Sequence, residues 1–215
     1  MKKFLFSIMV LLTINTYAQN IQFGFTTGLS LANYKSRVDG ETESGKAKAG
    51  LTVGLLADIP AGKHFSFQPA VNFVQKGTKD EQTFAGITAK YRININCIEV
   101  PLNFLYNTRG KAGNFFAGAG PSFAFAFSGK GKFTDGTNSE TTSLKFGNTD
   151  DADMKSVDLG ANFITGFSMS NGIMFSLNYN AGLSNIFPHG SADGTLKSSY
   201  FGIRLGYLLN SGKRK

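Results

Sequence analysis

An all-β chain that closes as an eight-stranded antiparallel up-and-down transmembrane barrel is the fold class this sequence predicts, and three observations predict it. Apolar and polar residues alternate over eight segments, with no sustained helical period. The connections between these segments are alternately short and long. The polar face of each segment is made of Gly, Ser, Thr, Asn and Ala, and the charges inside the segments share that face. Composition agrees, because 26 Gly and 21 Phe in 215 residues, with no Trp, lean toward crowded β backbones.

Residues 1–18 stand outside this fold. Lys2 and Lys3 form a positive n-region, Phe4 to Ile14 an apolar h-region, and Thr16-Tyr17-Ala18 a small-residue cleavage site before Gln19, the pattern of a secretory signal peptide. The apolar run is too short for a spanning helix, which needs about 20 residues. The barrel domain is expected over 19–209, with a basic tail at 210–215. Loss of Lys2 and Lys3 lowers the formal charge of +8 to +6. In an exported chain with its cations scattered through loops, this excess points to anionic lipid headgroups such as lipopolysaccharide and not to nucleic acid. Cys97 is the single cysteine, so no internal disulfide forms.

The first segment sets Ile21, Phe23, Phe25, Leu29 and Leu31 against Gln22, Gly24, Thr26, Gly28 and Ser30. The second sets Ala49, Leu51, Val53, Leu55, Ala57 and Ile59 against Lys48, Gly50, Thr52, Gly54 and Asp58, and a Pro60-Ala61-Gly62-Lys63 turn follows. In the third, Phe65, Phe67, Val71 and Phe73 oppose Ser66, Gln68, Ala70 and Asn72. The fourth runs from Thr88 to Tyr106, and the fifth, Asn114 to Ser128, sets Phe115, Phe123, Phe125 and Phe127 against Gly118, Gly120 and Ser122. In the sixth, Val157, Leu159, Phe163 and Phe167 oppose Asp158, Gly160, Asn162 and Gly166. Ser170-Asn171-Gly172 joins it to the seventh, in which Ile173, Phe175, Leu177 and Tyr179 oppose Ser176, Asn178 and Asn180; Asn-Gly between alternating runs is a hairpin signal. The eighth, Ser198 to Leu208, sets Phe201, Ile203, Leu205 and Tyr207 against Gly202, Arg204 and Gly206.

Short connections fall at Pro60 to Lys63, Asn107 to Gly113 and Ser170 to Gly172, and long polar ones at Lys35 to Ala47, Lys76 to Ile87, Gly129 to Lys155 and Phe187 to Lys197. This asymmetry matches outer-membrane barrels, with short periplasmic turns and long extracellular loops. A soluble barrel would turn a Lys- and Glu-rich face outward, whereas small polar residues suit the tight lumen of eight strands. The Phe, Leu, Ile and Val face then meets lipid, where a midplane Lys or Arg would cost roughly 2 to 4 kcal/mol. Phe23, Phe65, Phe104, Tyr106, Phe115, Phe175 and Tyr207 are expected to form a periplasmic girdle, and Phe73, Tyr91, Phe127 and Phe201 an external one.

The signal ending YAQ, the run IEVPLNFLY, the following FFAGAGPSFAF, the segment DLGANFITGFSM and the segment YNAGLSNI stand in this order along most of the chain. In these pieces the chain resembles the PorT-like small outer-membrane β-barrels of Bacteroidota. The resemblance implies an eight-stranded barrel in the bacterial outer membrane. A founding member is associated with protein secretion, so the resemblance leaves open a link to secretion or envelope integrity. It carries over no catalytic residues, and LLNSGKRK departs from the terminal aromatic of many outer-membrane barrels.

Arg92, Glu99, Asp158 and Arg204 are expected to form an interior charge network, either a conduction path or ligand site or, as favoured here, a self-satisfied plug, since buried charge must be paired. From Tyr91 to Cys97 the apolar residues are odd-numbered and from Ile98 to Tyr106 even-numbered, which predicts a β-bulge at Cys97-Ile98 that keeps both halves on lipid and aims Glu99 inward. His189, Ser191 and Asp193 in the last long loop are the one catalytic candidate, weakened by a Gly-rich loop that does not hold a nucleophile against its base. Asn148, Asp150, Asp151 and Asp153 lack calcium-loop spacing, His64 reads as an interfacial side chain, and no metal or cofactor is expected.

The reading is a non-enzymatic outer-membrane barrel serving as a structural or interaction module. Its expected partners are outer-membrane lipids and a protein engaged through the external loops or the periplasmic face. The alternatives are a small lipid-modifying enzyme (acyltransferase or deacylase), then a soluble lipocalin-like carrier, then a small-solute channel.

Overall fold

The computed structural model describes residues 21–84, 87–136, 138–149, 151–188 and 194–209. The signal peptide, the basic tail and the residues His189, Ser191, Asp193 and Asp150 lie outside them. The strands are β1 (Gln22–Val38), β2 (Glu41–Ser44), β3 (Lys46–Pro60), β4 (Phe65–Phe84), β5 (Ile87–Asn107), β6 (Gly113–Asp135), β7 (Asn138–Ser143), β8 (Val157–Met169), β9 (Ile173–Gly182) and β10 (Gly194–Leu208). Neighbours pair antiparallel in the order β10-β9-β8-β6-β5-β4-β3-β1, and β1 pairs with β10 to close a ring of eight. Closure leaves no sheet edge to hydrocarbon, where an unpaired backbone group costs several kcal/mol.

The eight predicted segments are the eight ring strands, and their apolar parity faces out. Leu55 is 68% exposed and Phe104 66%, while Thr52, Ser30 and Glu99 on the opposite parity are fully buried. No helix among the described residues is long and apolar enough to cross a membrane.

The long polar connections are largely not loops. β4, β5 and β6 run for 20, 21 and 23 residues, about twice the 9–11 that a spanning strand needs. β1 turns at Asp39-Gly40, both at positive φ, straight into β2. β6 turns past Asp135 and Gly136 into β7, which pairs with it from Lys130 to Asp135. The barrel wall therefore rises as paired sheet beyond the apolar band.

The bulge is in a different strand from the one predicted. β5 keeps an unbroken register with β4 through Val74↔Cys97 and Asn72↔Glu99. The shift is with β6, where Asn96 pairs Ser128 and Cys97 pairs Ala126, so the extra residue is Phe127. Because β5 itself never shifts parity, Ile95, Cys97, Glu99 and Asn103 all point inward, and the apolar residues before Ile98 face the lumen and not lipid. Glu99 does point inward, as expected. Tyr91 likewise leaves the expected external girdle, pairing with Phe133 on the inner parity. What changes at Ile98 is the environment: below it the wall is apolar outside and polar inside, and above it this order reverses.

The interior is layered. Leu56, Leu105, Phe116, Ile164, Met174 and Leu208 fill the short-turn end. Asparagines occupy the middle, Asn162 Nδ2 donating to Asn103 Oδ1 at 2.9 Å and Asn178 Nδ2 to Asn162 Oδ1 at 3.3 Å. Glycines let the walls approach closely there, and a Cβ on Gly120 would fall on the Leu102 carbonyl. Tyr34, Ile95, Cys97, Met154, Ile186 and Leu196 form an apolar plug at the opposite mouth, with Phe146 and Leu144 packed on it from the segment after β7.

Candidate functional site

Between the asparagine layer and the plug lies a buried ionic cluster, and cross-strand register assembles it. Asn72, Glu99, Ala124 and Asp158 stand in one row across β4, β5, β6 and β8. Lys76, on the same face of β4 as Asn72, reaches both carboxylates. Its Nζ lies 3.3 Å from Glu99 Oε2 and 3.4 Å from Asp158 Oδ2. From the opposite wall, Tyr200 on β10 donates its hydroxyl to Glu99 Oε1. That hydroxyl accepts from Arg204 Nη2 at 3.0 Å, and the Lys76 ammonium lies 5.4 Å from the Tyr200 ring centroid. Asp158 is completed by Ser184 Oγ at 2.9 Å and by Ser198 Oγ.

Lys76 thus meets two carboxylates, and Arg204 joins them through the Tyr200 hydroxyl, in a site largely excluded from solvent. An ion taken out of water loses several kcal/mol of hydration, and a partner with good geometry is what offsets it. The cluster also ties β4, β5, β8 and β10 together across the lumen, so it acts as a strut as well as a plug.

Of the four residues expected in the network, the structure brings Glu99, Asp158 and Arg204 together. Arg92 is not among them. Unshifted β5 parity turns Arg92 to the outer face, where it pairs across the ladder with Lys79 and Lys132. Lys76 and Tyr200 were missed, and parity could have found Tyr200, which continues Gly202 and Arg204 within the predicted eighth segment. Lys76 continues the inward set Gln68, Asn72 and Val74 only because β4 runs on past Phe73, which its polar sequence there does not reveal.

The chemistry open to this site is limited. Both serines on Asp158 donate to a carboxylate, and His64, the histidine of the described residues, lies at the far end of the barrel. There its Nδ1 is 3.0 Å from Asn107 O and its ring stacks on Tyr106. Among the described residues no group of three or more His, Cys, Asp or Glu side chains could hold a metal. The acidic loop residues are engaged locally. Asp153 accepts from the Lys145 amide, and hydrogen bonds from Thr149 and then Lys145 hold the Asp151 carboxyl below the usual carboxylate range.

Three solved outer-membrane proteins resemble this architecture. Ail of Yersinia pestis is 12% identical with a TM-score of 0.37, over 86% of this chain and 98% of its own. Neisserial surface protein A is 9% identical with a TM-score of 0.40, over 85% and 96%. OprG of Pseudomonas aeruginosa is 11% identical with a TM-score of 0.47, over 87% and 95%. No curated protein matches the chain. Residues 17–188, most of the chain, match the model of the outer membrane protein beta-barrel domain. With its ring of eight strands and outward apolar face, the chain therefore belongs to the outer membrane protein beta-barrel domain family.

Proposed function

We propose that this outer-membrane barrel is a non-enzymatic, non-conducting module that presents a rigid paired-sheet surface above the membrane to a partner. The observation that carries the reading is the filled lumen. An apolar layer, an asparagine layer, a self-neutralised ionic cluster and an apolar plug follow one another along the axis. None of these leaves a path for solute or a nucleophile beside a base. Function then falls to the outer surface and to the sheet rising from it.

Within the family, the PorT-like group of Bacteroidota is the placement favoured by IEVPLNFLY and FFAGAGPSFAF, with export through the N-terminal signal and with the rising sheet outside the cell. A link to secretion belongs to the same reading. In a planar bilayer the folded protein is expected to produce no unitary conductance steps, and crosslinking from native membranes is expected to capture a protein through the β4–β7 sheet. Discrete conductance, or crosslinks confined to the short-turn end, would overturn it. His189→Ala is expected to leave the lipid A acylation pattern unchanged; an altered pattern would favour the lipid-modifying alternative.

A further inference from the structure

The outer wall changes character over two cross-strand rows. The last apolar row, Phe73–Ile98–Phe125, faces out. Above it stand Gln75, Asn96 and Ser128, joined side by side: Gln75 Nε2 donates to Asn96 Oδ1 at 3.3 Å, and Asn96 Nδ2 to Ser128 Oγ at 2.9 Å. On the other side of the barrel Asn33 and Ser199 pair at the same transition, above Leu31–Phe201. Amide and hydroxyl side chains at the end of an apolar band mark where hydrocarbon gives way to headgroups.

Above that boundary the outer face becomes cationic: the next row is Gly77–Asn94–Lys130, and the row after it is wholly basic. Directly paired residues share one face of a sheet, so register alone places Lys46, Lys79, Arg92 and Lys132 in a single row across β3, β4, β5 and β6. Lys35 pairs with Lys197 in the same way on β1 and β10. All six side chains are exposed, and among the described residues the four of the longer row have no ion pair. The acids lie on the opposite face: Asp80 pairs Tyr91, which pairs Phe133, which pairs Glu140. Glu81 is the outward exception and is held by Lys90 at 3.1 Å. Like charges directly opposite one another destabilise a sheet, so this segregation works against the isolated protein and is relieved by a bound anion.

We propose that the outer wall of β3–β6, above the lipid-facing band, binds the phosphate groups of a phosphorylated glycolipid headgroup, with Lys46, Lys79, Arg92 and Lys132 as the anion ligands. The inference rests on the reading of the barrel as membrane-embedded with its rising sheet outside. A lipid is the occupant because the row stands on the lipid-facing side of the wall, two rows above the amide and hydroxyl boundary, with Lys130 in the row between. Three strand spacings of 4.7–4.9 Å make the row roughly 14 Å long, too wide for one phosphodiester and suited to two phosphates carried on a sugar scaffold. Arg92 offers one phosphate a bidentate guanidinium, and the lysines act as point charges.

The test uses the full folded chain in zwitterionic micelles, offered bis-phosphorylated lipid A, its dephosphorylated form or phosphatidylglycerol, with bound lipid read by native mass spectrometry. The unmodified protein is expected to retain the bis-phosphorylated lipid preferentially. The combined variant Lys79→Gln, Arg92→Gln, Lys132→Gln is expected to lose about tenfold or more of that retention while keeping heat-modifiable migration. Lys79→Arg with Lys132→Arg is expected to keep it. Equal retention by the Gln variant, or equal binding of phosphatidylglycerol, overturns the proposal. Should the Gln variant fail to fold, a salt titration of the unmodified chain decides: retention falling with ionic strength supports the site and salt-independent retention overturns it. A chain that neither enters micelles nor migrates heat-modifiably overturns the membrane reading itself, and this inference with it; one that inserts but ignores phosphate overturns the inference alone.

Discussion

Lys76 faces two carboxylates at once, so its removal leaves Glu99 and Asp158 without their shared cation inside a closed lumen. Lys76→Met is expected to cost about 3–5 kcal/mol, read by guanidinium unfolding in micelles. Arg92→Gln, by contrast, alters an exposed side chain with no interior partner and is expected to stay within about 0.5 kcal/mol of the parent. A loss for Arg92 comparable to that for Lys76 would return it to the interior network. Tyr200→Phe removes the hydroxyl shared between Glu99 and Arg204, and a loss of about 1–3 kcal/mol is expected. Glu99, Asp158 and Arg204 were legible in the sequence because each sits among small residues of one parity. Lys76 was not, because the polar run after Val74 has the composition of a loop. Nothing local says that Gln75 and Lys79 are polar because they stand outside above the membrane, while Lys76 is polar because it is paired within.

At the scale of the element, the single extra residue on β6 reconciles two requirements. Below Phe127 the odd residues Phe123 and Phe125 face lipid; above it the even residues Ser128, Lys130 and Lys132 face outward and Gly129 and Gly131 inward. Phe127 has no partner on β5, so deleting it makes Cys97–Ala126 and Asn96–Ser128 consecutive pairs of a regular ladder and leaves Lys130 and Lys132 facing outward. The deletion variant is expected to keep a heat-modifiable folded band, as is Phe127→Ala. A deletion variant without that band would show that the bulge itself, and not only the facing of the residues above it, is required. The Asp39-Gly40 and Asp135-Gly136 pairs are hairpin signals of the same class as Asn171-Gly172. They pass for loop residues because their flanks are polar on both faces, and alternation is visible only where one face is apolar.

At the scale of the molecule, the closed interior makes a sharper statement than any one contact. Replacing Phe146 and Met154 by Ala strips the apolar plug but leaves the ionic cluster and the asparagine layer beneath it. No conductance is expected from that variant in a planar bilayer, and unitary steps would show that the plug alone closes the barrel. The sequence by itself determined the strand number, the parity facing lipid and the asymmetry of the two ends, because a bilayer imposes the same apolar-polar alternation on every strand that crosses it. Only the tertiary structure decided which charges meet, which strand carries the bulge and how far the wall rises beyond the membrane. Those depend on register between strands distant in sequence, and register is set by pairing across the closed ring, which no single strand records.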